Sequence, residues 1–167
     1  MKKITLLFFM VLISAFGFSQ GADCSNPIVI GSLPYNTTDD TANYGDDYEN
    51  GSSPCNSYYM SGDDVIYTFT PASDVNVDVT MSGIGSTYSG IHILDGCVDA
   101  TPNCVAFEGN SGTGDRVLTQ VALTSGVTYY IVISTWATPQ STTYTLDIVE
   151  SPTDTLDFYN LQGKHHL

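Results

Sequence analysis

Val75-Asn76-Val77-Asp78-Val79-Thr80-Met81 places an apolar side chain at every second position, with polar ones between. Side chains alternate across a β-strand, so this stretch reads as a strand with one buried face. The same period recurs along the chain. Val65, Tyr67 and Phe69 alternate with Ile66, Thr68 and Thr70, so both faces there are at least half apolar. Tyr129-Tyr130-Ile131-Val132-Ile133 is apolar on both faces and predicts a central strand. Ile91 and Ile93 flank His92, which is expected to point outward into solvent. Val117, Val121 and Leu123 share one face, and Tyr144, Leu146 and Ile148 another. Turn signals separate these runs at 71–74, 82–86, 110–115 and 125–126. Shorter strands near 27–30, 33–37 and 104–107 bring the total to eight or nine. No stretch carries a helical apolar period, so the strands must bury their faces sheet against sheet. The predicted class is all-β: a single antiparallel β-sandwich of jelly-roll type, with eight or nine strands and two disulfides.

The chain has 167 residues, with 18 Asp and Glu against 4 Lys and Arg and a formal net charge of −14. Nucleic-acid binding is excluded as a function, because neutralising phosphates takes clustered Lys and Arg. Disorder is excluded too, since 42% of the residues are hydrophobic and 11% aromatic. Such a surface repels anionic membranes and polyanions and attracts divalent cations.

Residues 1–20 read as a secretory signal peptide. Lys2 and Lys3 precede an almost wholly apolar run from Ile4 to Phe18, followed by small or polar residues. That assigns 21–150 to the sandwich and 151–167 to a tail, in a secreted or cell-surface protein with no membrane insertion after cleavage. Cys24, Cys55, Cys97 and Cys104 all fall in the exported part and read as disulfides, with three connectivities open. Nearest-neighbour pairing, Cys24 with Cys55 and Cys97 with Cys104, is the expectation. A zinc site is disfavoured, because no C-x-x-C pair occurs and no His lies nearby.

Residues 38–64 form a long acidic loop. Calcium binds six to eight oxygens, and this loop supplies Asp63, Asp64, Asp46, Asp47 and Glu49 as candidate ligands. The bland alternative is a solvated loop that only aids solubility. Tyr44, Tyr48, Tyr58 and Tyr59 are interleaved with the acids. Trp136 sits in the polar run Ser134–Gln140 after the central strand, where its ring can stack on a sugar. The four tyrosines would extend that platform. The plainer reading has Trp136 capping one end of the sandwich core.

Several segments taken in order carry a family resemblance. They are Pro27-Ile28-Val29-Ile30, Leu33-Pro34-Tyr35-Asn36-Thr37-Thr38, Ser61-Gly62-Asp63-Asp64-Val65-Ile66-Tyr67-Thr68-Phe69-Thr70, and Leu94-Asp95-Gly96-Cys97. Ser125-Gly126-Val127-Thr128-Tyr129-Tyr130-Ile131-Val132-Ile133 and Thr145-Leu146-Asp147-Ile148 complete the set. Over about residues 24–149 the chain resembles the bacterial pre-peptidase C-terminal domain family, as found in secreted Bacteroidetes proteins. The resemblance implies a jelly-roll sandwich without catalysis of its own, appended to exported proteases or other hydrolases. Some relatives bind calcium through acids just before the Tyr-x-Phe strand, which here are Asp63 and Asp64. They also use an acidic arm ahead of the first strand, where this chain offers Asp23 with Ser25 and Asn26. In the tail, Leu156-Asp157-Phe158-Tyr159-Asn160-Leu161-Gln162-Gly163-Lys164 resembles part of a type IX secretion sorting domain.

No G-x-S-x-G or H-E-x-x-H motif occurs, and no Lys or Arg lies in the Gly-rich 109–115 loop to hold a phosphate. The expected function is therefore a secreted, non-catalytic accessory module that binds an extracellular polymer, polysaccharide or protein, with polysaccharide favoured and calcium as a stabiliser. The alternative is a structural or adhesive surface domain with no small ligand. A hydrolase is the third reading.

Overall fold

A computed structural model describes residues 19–49 and 54–152. The signal peptide and the sorting-domain resemblance fall largely on 1–18 and 153–167, outside the described residues. Nine strands follow in chain order: β1 (Ile28–Ile30), β2 (Tyr35–Asp40), β3 (Val65–Phe69), β4 (Val75–Ser82), β5 (Ser89–Leu94), β6 (Cys104–Asn110), β7 (Arg116–Leu123), β8 (Tyr129–Thr135) and β9 (Thr143–Glu150). They form a five-stranded sheet A, ordered β1-β3-β8-β5-β6, and a four-stranded sheet B, ordered β2-β9-β4-β7. The nested antiparallel pairs β2 with β9, β3 with β8, β4 with β7 and β5 with β6 make the jelly roll. One departure from an all-antiparallel sandwich is β1, which adds to β3 in parallel. Among the described residues no helix is long and apolar enough to cross a membrane.

The alternating residues behave as their period requires. Val77, Val79 and Met81 of β4 meet Tyr67, Ile91, Ile131 and Ile133 of sheet A in the core between the sheets. The Tyr67 and Tyr144 hydroxyls, from opposite sheets, hydrogen-bond at 2.5 Å inside that core. Val117 breaks its expected face. A bulge sets Thr119 and Gln120 of β7 against the single residue Asp78, between the pairs Val77–Val121 and Val79–Leu118. Gln120 takes φ 54°, and its amide donates to Asp78 Oδ1 at 2.8 Å. The extra residue flips the parity, so Arg116 and Leu118 turn inward with Val121 and Leu123 while Val117 is exposed.

Sheet A is buried on its outer face as well. Ile66, Leu94 and Val132 pack there beneath Tyr48 and Met60 of the long loop and Val98, forming a second, smaller core. His92 points to the same outer side, yet it is fully buried rather than solvated. Its ring lies 4.7 Å from that of Phe107, its Nε2 has no hydrogen-bond partner, and burial pushes its pKa down to about 4. The alternation does place His92 on the outer side of sheet A, but there the ring of Phe107, its partner on the neighbouring strand, lies against it, a contact that a strand pattern does not reveal.

The disulfides join Cys24 to Cys97 and Cys55 to Cys104, with Cα–Cα distances of 5.9 and 4.9 Å. Nearest-neighbour pairing is thereby overturned. The β5–β6 register sets Cys104 opposite Leu94, leaving Cys97 beyond the strand end, beside a 3-10 turn at Val98–Ala100. The two ends of that connection face different segments. Cys97 meets the chain just ahead of β1, and Cys104 meets the long loop.

Candidate functional site

The described surface exposes six large hydrophobic residues, and three of them stand together: Tyr58 at 68%, Tyr88 at 38% and Trp136 at 43%. Large apolar groups scattered singly need no explanation, whereas a cluster of exposed rings is a candidate interaction site. Each ring comes from a different segment. Tyr88 directly precedes β5 and Trp136 directly follows β8, and the register pairs Ser89 with Thr135. The next pair outward is therefore Tyr88 and Trp136, joined by a hydrogen bond from Trp136 N–H to the Tyr88 carbonyl at 2.9 Å. Tyr88 takes φ 58°, which turns its side chain out of the strand direction.

Tyr58 arrives from the long loop. That loop is laid against the β8–β9 connection by Ser61 N–H to Thr135 O, at 3.0 Å, and Asp63 N–H to Gln140 O, at 2.7 Å. Gly62 sits between these bonds, and a Cβ there would collide with Thr135 Oγ1 and the Gln140 backbone, so the close approach needs glycine. Tyr58 and Trp136 then stack with centroids 6.0 Å apart at 20°, and Tyr88 meets Trp136 edge-on at 5.6 Å and 89°. Tyr59 meets Trp136 edge-on at 6.5 Å and stacks on Phe107 at 6.4 Å. It rests on the cross-strand pair Gly90 and Gly109, where a Cβ at Gly109 would strike its ring and one at Gly90 its Cβ. Beside the cluster lies a cavity of about 370 Å³ lined by Tyr88, Trp136, Ala137 and Thr138.

Of the residues named from sequence for this platform, Trp136, Tyr58 and Tyr59 come together and Trp136 is exposed rather than a core cap. Tyr44 and Tyr48 do not join them. Tyr44 is half-buried, with its hydroxyl donating to Asp39 Oδ2 at 2.5 Å. Tyr48 belongs to the second core, where its hydroxyl accepts from Cys24 N–H at 3.1 Å. Tyr88 was missed. The only signal for it was its position at the edge of Ile91–Ile93, two residues beyond Gly90.

The acids named for calcium stand in different settings. Asp46 Oδ2 and Asp63 Oδ1 accept from one amide, Gln140 Nε2, at 2.9 and 3.3 Å. Asp47 and Glu49 are exposed. Asp64 is fully buried on the outer side of sheet A. Its Oδ2 accepts from Tyr48 N–H at 2.9 Å, whereas Oδ1 has no hydrogen bond of normal geometry. Burial pushes its carboxyl up to about 8 against the opposing pull of Ser134 and the Tyr48 amide. Among the described residues no three His, Cys, Asp or Glu side chains come together closely enough to hold a metal ion.

The chain matches no protein-family model and no curated protein. Among solved structures it is similar to Aeromonas hydrophila PliG, a periplasmic lysozyme inhibitor of g-type lysozyme, with 12% identity, 75% of this chain and 96% of that chain covered, and a TM-score of 0.45. It is also similar to the pre-peptidase C-terminal domain of collagenase from Bacillus anthracis, with 19% identity, 73% and 93% of the two chains covered, and a TM-score of 0.47.

Proposed function

We propose that this protein is a secreted, non-catalytic β-sandwich module that binds an extracellular polymer, a polysaccharide, on the Tyr58–Tyr88–Trp136 platform. The observation that supports this is the exposure of three clustered rings whose backbone positions are fixed by strand ends and by hydrogen bonds between segments. Sugar rings present apolar C–H faces and a polar rim, and a rigid aromatic surface offers the first contact at little conformational cost. The disulfides fit an oxidising, extracytoplasmic setting.

Trp136 is the only tryptophan, so its emission reports on this one place. Titration with a panel of soluble plant, algal and microbial polysaccharides is expected to give a saturable shift with at least one of them. Trp136→Ala should weaken retention of that glycan by about tenfold or more, which corresponds to about 1.4 kcal/mol. No shift with any glycan would sink the reading in favour of a structural or adhesive domain.

Calcium is a second reading, favoured by one observation: the orphaned, buried Oδ1 of Asp64. Binding there would require Asp63 and Asp46 to turn from Gln140 toward it.

A further inference from the structure

We propose that the aromatic platform selects chains bearing protonated amino sugars over neutral and acidic ones. The inference rests on the platform being a glycan site and adds the charge of the glycan. Its first support is what surrounds the rings. Among the described residues Arg116 is the only Lys or Arg, and its side chain is fully buried. Its guanidinium donates to the carbonyls of Ser89, Asn110, Gly112 and Gly114 and to Ser89 Oγ. That cation is spent inside the protein, bracing Ser89 next to Tyr88, and cannot reach a uronate or a sulfate. His92, the only described histidine, is buried as well.

The second support is where acidic groups stand. Gln140 closes the short connection that begins at Trp136, and its side-chain amide binds both Asp46 and Asp63. Two acids are therefore held against the connection that carries the central ring, while the whole chain has a net charge of −14. The third support is the rings themselves. Aromatic faces attract an organic cation, Trp most strongly, and here one Trp carries a stacked Tyr and a perpendicular Tyr. A polymer with a positive charge on each sugar meets favourable ring faces and a favourable long-range field. A polyanion meets neither a partner nor an attractive potential.

The test titrates Trp136 emission with equal-length oligomers of glucosamine, N-acetylglucosamine and galacturonate, at a pH where the amine is protonated. Low salt, about 0.02 M, is compared with about 0.5 M, where screening is short-ranged. Glucosamine oligomers are expected to bind at least about tenfold more tightly than the N-acetylated ones at low salt. That advantage should shrink severalfold at high salt, and galacturonate should not bind. Asp46→Asn/Asp63→Asn should reduce the advantage of the glucosamine oligomer over the N-acetylated one severalfold at low salt. Equal or tighter binding of the N-acetylated or galacturonate chains overturns the charge selection and leaves the platform standing. Silence from all three, with a neutral glycan of the wider panel still binding, does the same. Silence from every glycan overturns both.

Discussion

On sheet B the outward side chains bond to one another in the open: Asn36 Nδ2 donates to Asp147 Oδ1 at 2.8 Å, and the Thr38 and Thr145 hydroxyls meet at 2.9 Å. On sheet A the outward side chains Ile66, Leu94 and Val132 lie under Tyr48, Met60 and Val98, with Cys24 and Cys55 packed alongside. Both faces belong to twisted sheets of short strands, yet one needs no cover and the other depends on one. The cover lies between β2 and β3, where the described residues hold a 3-10 turn at Thr41–Asn43 and no strand, so among them no long ladder holds the backbone down. Crosslinks add to its backbone bonds with β8 and the β8–β9 connection: Cys55 of the cover is tied to Cys104 at the start of β6, and Cys24, ahead of β1, to Cys97. The aromatic platform stands where this cover meets the strand ends of β5 and β8, so the same loop that roofs sheet A also brings Tyr58 to Trp136.

If the roof is held by its crosslinks, the largest effect comes from removing one. Cys55→Ser/Cys104→Ser opens a ring spanning a sequence separation of 49 residues. The chain-entropy estimate for such a ring is about 4 kcal/mol. Urea unfolding should show a loss of that order, with the Trp136 emission changing because Tyr58 is no longer anchored. A loss below about 1 kcal/mol would mean that packing alone secures the loop.

The next effect, of a few kcal/mol, is a dependence on pH. Asp64 holds a proton to about pH 8 when folded, whereas an ordinary aspartate carboxyl releases it near 3.8. Across that window the folded state binds more protons than the unfolded one, so stability falls as pH rises from about 4 to about 8 and then levels. His92 acts in the opposite sense, because its folded value near 4 lies below 6.5. Its contribution is lost as pH falls from about 6.5 toward 4, which offsets the Asp64 slope there. The visible decline should therefore lie between about pH 6.5 and 8, and Asp64→Asn should abolish it. Calcium, if it occupies this corner, would reverse the decline in the parent protein and leave Asp64→Asn unaffected. A flat parent profile would show that water reaches the carboxyl.

The smallest effect belongs to the open face. Thr38→Ala and Thr145→Ala should each change stability by no more than about 0.5 kcal/mol, since water replaces the lost hydroxyl contact. A larger loss would show that sheet B, too, has something resting on it.

Much of this architecture was legible in the alternation. Val75 to Met81 and Tyr129 to Ile133 reported one buried face and two, and both strands lie where those patterns put them. Where the reading failed, the missing information was non-local. Val117 turned outward because a bulge against Asp78 consumed one residue of β7, and a bulge has no required residue type at Gln120 to announce it. His92 alternates outward as its own strand requires, but its burial involves Phe107 of the neighbouring strand, whose ring in turn stacks on Tyr59 of the long loop. At the platform, Trp136, Tyr58 and Tyr59 could be named as aromatic residues near polar loops, but Tyr88 entered only through the β5–β8 register. Tyr44 and Tyr48 left it because their hydroxyls have partners elsewhere.

The order of polar and apolar residues by itself determined that the chain is a two-sheet sandwich, because a period of two leaves one face per strand that water will not stabilise. It also determined the acidic surface, since charge is counted without coordinates. Tertiary structure alone decided which cysteines meet, which outer face is roofed, and that the one described arginine is turned inward. Each of those depends on the distance between residues far apart in the chain, and in a jelly roll the nested pairing, rather than sequence separation, sets that distance.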